Sequence, residues 1–253
     1  MFAVRSLFAL AVLLAPLLAQ AGSLADIELY DRTAHRALPV HEHDGRLYIA
    51  GEPRHQYEVR IRSRSEARLL AVTSVDGVNV VSGKTAAEHQ GGYVLDAWSS
   101  VAIDGWRKSL DEVATFYFTR LADSYAARTG RPHNVGVIGV ALFREQQPCC
   151  DHLSRQESED RGAPAPSISG EQSASAPRAQ RRSNSKLGTG HGHSESSPAQ
   201  YVDFRRASST PDETIVIYYD SRRNLTAQGV LPEWPSYARR RPSPFPDGFV
   251  PDP

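Results

Sequence analysis

The stretch "TIVIYYD", Thr214 to Asp220, decides how the rest of the chain is read. Ile215, Ile217 and Tyr219 fall on one side of an extended segment, with Val216 and Tyr218 on the other. A strand apolar on both faces needs neighbours, and seven residues alone cannot form a stable sheet. The preceding Ser154 to Gln200 offers none. It holds 11 serines, its only large aliphatic residues are Ile168 and Leu187, and it has no aromatic residue. Such a composition buries too little apolar surface to offset its ordering entropy. The strand must therefore pair with something before the serine-rich region, which becomes an insertion within one domain.

Upstream, candidate partners are plentiful. "QYEVRIR" alternates Tyr57, Val59 and Ile61 with Glu58, Arg60 and Arg62, the period of a half-buried strand. "RLLAVTSVDGVNVVSG" places Asp76-Gly77 between two β-branched runs, which predicts a hairpin. Further strands are expected at "DIELYD", "RLYIA", "GYVL" (Gly92 to Leu95), "SVAID" (Ser100 to Asp104) and "EVATFYFTR" (Glu112 to Arg120). "NVGVIGVALF" (Asn134 to Phe143) is apolar on both faces and predicts a central strand, with Gly136 and Gly139 allowing close approach. Helical signals are few. Ser109 to Glu112 has a capping-box pattern, and "ADSYAARTG" predicts two turns ended by Gly130. The fold expected is all-β, an antiparallel β-sandwich of immunoglobulin type, completed by a strand after a disordered insertion.

The domain plan follows. Residues 1–21 read as a signal peptide: Arg5, an apolar run from Leu7 to Leu18, then Ala19-Gln20-Ala21. That run is far short of the roughly 20 residues of a membrane span, so cleavage is expected between Ala21 and Gly22. Residues 22–146 form the main part of the sandwich, and 147–186 the disordered serine-rich insertion. Residues 187–231 supply a re-entrant loop and the closing strand, and 232–253, with seven prolines, a polyproline-like disordered tail. No later segment has the length and apolarity of a transmembrane helix.

"SVDGVNVVSG", "GYVLDAW", "IDGWRKS", "SYAARTGRPHNVGVIGVALFRE", "LGTGHG" and "YDSRRNLTAQGV" together resemble a family of exported bacterial proteins of unknown function. The similarity spans roughly residues 55–146 and 187–231. It implies a single discontinuous domain and no particular chemistry.

Charge and composition narrow the function classes. Twenty-nine basic residues balance 29 acidic ones, so no charge excess builds the basic face that nucleic-acid binding needs. Only Lys84, Lys108 and Lys186 are lysines; the arginine bias fits a GC-rich bacterial source and a periplasmic or secreted product. The two cysteines, Cys149 and Cys150, are adjacent and cannot staple distant parts of the fold. A vicinal disulfide, an intermolecular bridge and free thiols all stay open.

Three groups of residues could carry function. Trp98 and Trp106 flank "SSVAIDG"; exposed, they could stack on sugar rings while Arg107 or Lys108 bonds hydroxyls, and buried, they would pack the core. His191 and His193 in "LGTGHGH", with "CCDH" at Cys149 to His152, carry zinc or copper ligand types without the spacing of a familiar site. "HEH" at His41 to His43 reads as a solvated turn, and Asp111-Glu112 as a capped helix start. "GTGHG" lacks the Lys-Ser or Lys-Thr of a phosphate loop, and no Gly-x-Ser-x-Gly elbow occurs. The reading this favours is a non-catalytic envelope module without cofactor, binding a protein or glycan. Its alternative is a metal-binding protein or metal-dependent enzyme using His191 and His193. The "LGTGHGH" stretch itself is expected to mark the chain's re-entry into the fold.

Overall fold

The computed structural model describes residues 24–147 and 186–233. The expected leader with its Ala21–Gly22 cleavage point and the Cys149–Cys150 pair fall outside the described residues. So do the serine-rich insertion apart from its two ends, and the proline-rich tail beyond Glu233.

Among the described residues, 14 strands form two packed sheets of seven strands each. They are β1 (Ala25–Asp31), β2 (Arg36–Ala37), β3 (Val40–His43), β4 (Arg46–Gly51), β5 (Gln56–Ser63), β6 (Leu69–Val75) and β7 (Val78–Asn79). There follow β8 (Tyr93–Leu95), β9 (Ser100–Ile103), β10 (Gly105–Arg107), β11 (Glu112–Arg120), β12 (Val137–Arg144), β13 (Leu187–Ser196) and β14 (Glu213–Ser221). The first sheet runs β10-β11-β5-β1-β2, with β13 on β11 and β9 on β5; the second runs β3-β4-β14-β12-β6-β7, with β8 on β6. The all-β sandwich expected from the alternating patterns is the fold.

The returning strand does more than close an edge. β14 lies inside the second sheet, antiparallel to β12 on one side and parallel to β4 on the other. That parallel pair makes the second sheet mixed. β13 pairs with β11 along nearly its whole length. Each sheet therefore takes one strand from beyond the serine-rich region.

Several local expectations are revised. "LGTGHGH" is not a loop: it is the first seven residues of the ten-residue strand β13. Two of its glycines, Gly190 and Gly192, are crowded by the neighbouring strand β11. A Cβ on Gly190 would sit 2.2 Å from the Tyr117 ring, directly across the ladder, and one on Gly192 would meet the Thr115 side chain and carbonyl oxygen. "HEH" is likewise not a turn but most of β3, which pairs with β4 through the Asp44-Gly45 turn. Ser109 caps no helix. Its Oγ accepts from the Asp111 and Glu112 amides in a tight turn that leads straight into β11. The Asp76-Gly77 hairpin is present, with both residues at positive φ (54° and 70°) and Val75 opposite Val78. "ADSYAARTG" makes a single α-turn, α1 (Tyr125–Arg128), capped by Ser124. A second helix, α2 (Arg222–Ala227), follows β14 and is capped by Ser221.

The core lies between the sheets. Tyr57 stacks on Phe118 with ring centroids 4.3 Å apart, and Phe116 and Tyr219 complete an aromatic centre. One irregularity shapes the outer surface. β5 pairs with β11 at Gln56–Tyr57 but with β9 from Val59 to Arg62, while β10 pairs with the first part of β11. The β9–β10 segment is thus a wedge between two diverging strands, and Asp104 sits at its bend. There the Asp104 carbonyl accepts from the Phe116 amide (2.9 Å).

Candidate functional site

Trp98 stands at the tip of the turn before β9, with φ at +59° and 62% of its surface exposed. A bulky residue in the left-handed region costs about 1–3 kcal/mol and persists only where its surroundings hold it. Here the Trp98 amide donates to the Ser65 carbonyl, and the flanking Ser99 carbonyl accepts from the Ser63 amide (2.8 Å). The ring borders an open cleft of about 570 Å³. Around it lie Arg64, Glu66, Arg144 and Glu145, with Leu24 and Ala67 as apolar floor. Arg64 and Arg144 are only loosely paired, with Asp26 at 3.4 Å and Asp212 at 3.8 Å. The arrangement offers a flat apolar platform bordered by charged groups able to bond hydroxyls.

Trp106 and Arg107 do not join it. Trp106 is 3% exposed and packs edge-on against Phe116 (4.8 Å, 90°), with Tyr125 on its flank. Its indole N–H is buried without a hydrogen-bond partner. Arg107 is a strap. Its guanidinium donates to the Tyr93 hydroxyl (3.0 Å), to the Ser109 and Leu110 carbonyls, and to the Ser197 carbonyl (2.7 Å) and hydroxyl. These bonds tie β10 to the segment after β13.

The two histidines are separated by a bulge. Phe116 faces His191 and Ala114 faces Ser194, so Gly192 and His193 together oppose Thr115. His191 therefore lies over the inner rings of Trp106 (6.3 Å) and Tyr125 (5.2 Å). His193 contacts the Thr115 hydroxyl (3.5 Å) and stands 3.9 Å from Glu195, on the opposite face. An i, i+2 pair in a regular strand would have shared one face. Among the described residues no group of three or more histidine, cysteine or acidic side chains is arranged to hold a metal.

Two clusters were not singled out by sequence. The first is buried. Asp76, in the β6–β7 turn, accepts from the Gly136 amide (2.8 Å), the Thr189 amide (2.8 Å) and the Tyr219 hydroxyl (2.5 Å). Because the Tyr219 proton goes to Asp76, the Thr189 hydroxyl must donate to Tyr219, and Tyr57 to Thr189, each over 2.6 Å. The result is one ordered chain, Tyr57 to Thr189 to Tyr219 to Asp76, running between the sheets. Burial outweighs the donated bonds and pushes the Asp76 pKa from 3.8 up to about 6. Burial, and then the Asp76 charge, pushes both tyrosines well above the usual range.

The second cluster covers the outer face where the first sheet forks. Arg32 forms a two-pronged pair with Glu195 (2.6 and 3.0 Å) and approaches Glu58 at 3.5 Å. Arg60 joins Glu58 (2.6 Å) to Glu28 and lies over the Tyr30 ring. Burial, then a hydrogen bond with Glu58, raises Asp104 to about 6, whereas the Arg32 bond lowers Glu195. The internal pairing of these charges makes them a clamp between β1, β5 and β13. The sequence signal for both clusters is polar residues where a strand's alternation calls for apolar ones, or charges stacked at matching registers. Neither is visible until the register is known.

No family model, curated protein or solved structure matches this chain. No helix among the described residues is long and apolar enough to cross a membrane.

Proposed function

We propose that this is an exported, non-catalytic β-sandwich that binds a glycan of the cell envelope at the cleft beside Trp98. The observation that carries the reading is the exposed indole held at positive φ on the lip of that cleft. Exposure of a large aromatic ring is unfavourable, and so is its backbone conformation; a ligand that stacks on the ring offsets both. Sugar rings present flat C–H faces to an indole and hydroxyls to Arg64, Glu66 and Arg144. Export rests on the leader pattern of residues 1–21.

The test is co-sedimentation of the purified protein with purified cell-wall polysaccharide, together with the Trp98→Ala variant. Trp98 is exposed, so the variant should melt within about 1 kcal/mol of the parent. Its binding should fall about tenfold or more, the scale of a lost aromatic anchor. Equal binding by the variant would remove the cleft from the function.

A further inference from the structure

A second cleft, also of about 570 Å³, opens at the other end of the molecule. Gly136 lines it and Arg144 lines the Trp98 cleft, so the two stand at opposite ends of β12, roughly 25 Å apart at strand rise. Tyr48 and Tyr218, on the parallel strands β4 and β14, form one wall with ring centroids 5.6 Å apart and 33° between their planes. Arg46 leans over the Tyr218 ring at 5.8 Å and forms no ion pair among the described residues. Lys186 adds a second cation, and Asn224 and Gln228 of the α2 region supply amides. The one carboxylate lining the cleft, Asp220, is buried and already occupied. Its Oδ1 accepts from the Leu187 amide (3.0 Å), the Ser221 amide (2.7 Å) and the Asn224 side chain (2.8 Å). The accessible charge of the cleft is therefore positive, next to a wall of two tilted tyrosine rings.

We propose that this cleft is a second ligand site, taking an acidic saccharide whose ring lies on Tyr48 and Tyr218 and whose carboxylate is held by Arg46 and Lys186. A guanidinium fork matches a carboxylate in two-pronged geometry, and a tyrosine wall accepts the apolar face of a pyranose ring. The site shares no lining residue with the Trp98 cleft and does not depend on the function assigned to that cleft.

The test uses the purified protein carrying Trp98→Ala, so that only the second site is read. Calorimetric titration with trigalacturonate should show saturable binding. Added Arg46→Gln, an exposed position, should weaken it about tenfold or more, and Tyr218→Ala should weaken it similarly. A neutral galactose trisaccharide should not bind. The proposal is overturned if trigalacturonate fails to bind, or if both variants bind as the parent does. It is equally overturned if the neutral sugar binds as well, or if inorganic phosphate alone competes at the same concentration, which would make the cleft a plain anion site. Melting curves identify a variant that fails to fold, and Arg46→Gln then decides the outcome alone.

Discussion

At the scale of single residues, Asp76 illustrates how a turn signal can conceal a structural centre. Asp-Gly at positions 76 and 77 fits a tight hairpin, and the hairpin is there. The same carboxylate also collects the Gly136 and Thr189 amides and the Tyr219 hydroxyl. Asp76→Asn replaces one acceptor oxygen by an NH₂ facing a donor, which should cost roughly 1–3 kcal/mol in chemical denaturation. The pH dependence has a definite sign. A folded pKa of about 6, above the ordinary 3.8, means the folded state binds the proton more readily. The stability from this group is fully present below about pH 4 and is lost as pH rises through about 6. Asp104 acts in the same direction. The stability of the parent relative to Asp76→Asn should therefore decline between pH 4 and pH 7, the comparison cancelling groups such as Glu195 that act in the opposite direction; a difference that stays constant with pH would contradict the assignment. The glycines of β13 give a second test. A Cβ at Gly192 meets the Thr115 backbone oxygen at 2.7 Å, whereas the three atoms nearest one at Gly190 all belong to the outer end of the half-buried Tyr117 ring. A ring can swing aside and a ladder carbonyl cannot. Gly192→Ala should thus lower the denaturation midpoint more than Gly190→Ala, by about 1 kcal/mol or more.

At the scale of elements, alternation located most of the strands because burial on one face writes period two into the sequence. β5 and β11 are read almost to the residue, and the two-faced pattern of "NVGVIGVALF" correctly signals the interior strand β12 between β6 and β14. Short or polar strands leave no such trace. β3 carries His41, Glu42 and His43, and β13 carries three glycines, so both resemble loops. Their regularity comes from partners, not from their own side chains. The parallel pairing of β14 with β4 joins segments more than 160 residues apart, which no local pattern encodes. Trp98 and Trp106 look alike in sequence, yet Trp98 sits in a positive-φ turn before β9 and points outward, whereas Trp106 follows the bend at Asp104 and packs into the core. Pairing also predicts what truncation does. A chain ending at Gln147 loses β13 from the first sheet and β14 from the second, and with β14 goes the link between β12 and the β3–β4 hairpin. Two long edges and the apolar faces beneath them become open. Such a chain should aggregate or lose its cooperative melting transition; a monomer that melts as sharply as the parent would show that residues after Gln147 are dispensable.

At the scale of the whole molecule, the route between the two described segments sets a length requirement. β12 ends at Arg144, which lines the Trp98 cleft together with Gln147, the last residue described before the gap; the chain is next described at Lys186, beside Gly136, the residue before β12 begins. Residues 148–185 therefore connect opposite ends of the sandwich, a distance of roughly 25 Å by strand rise. Loop-closure entropy grows only slowly with length, so removing most of this connection shifts stability by only about 1 kcal/mol, in favour of folding, as long as the remainder still reaches. Deleting residues 154–180 leaves 11 connecting residues, which extend to roughly 36 Å and suffice. Deleting residues 150–184 leaves three, which extend to roughly 10 Å and cannot close the path without pulling β13 off β11. Chemical denaturation should show the first deletion within about 1 kcal/mol of the parent and the second strongly destabilised or unable to fold. If the shorter connection were tolerated as well as the longer one, β13 would have to enter the first sheet from the Arg144 end, and the antiparallel register of β11 with β13 would be wrong.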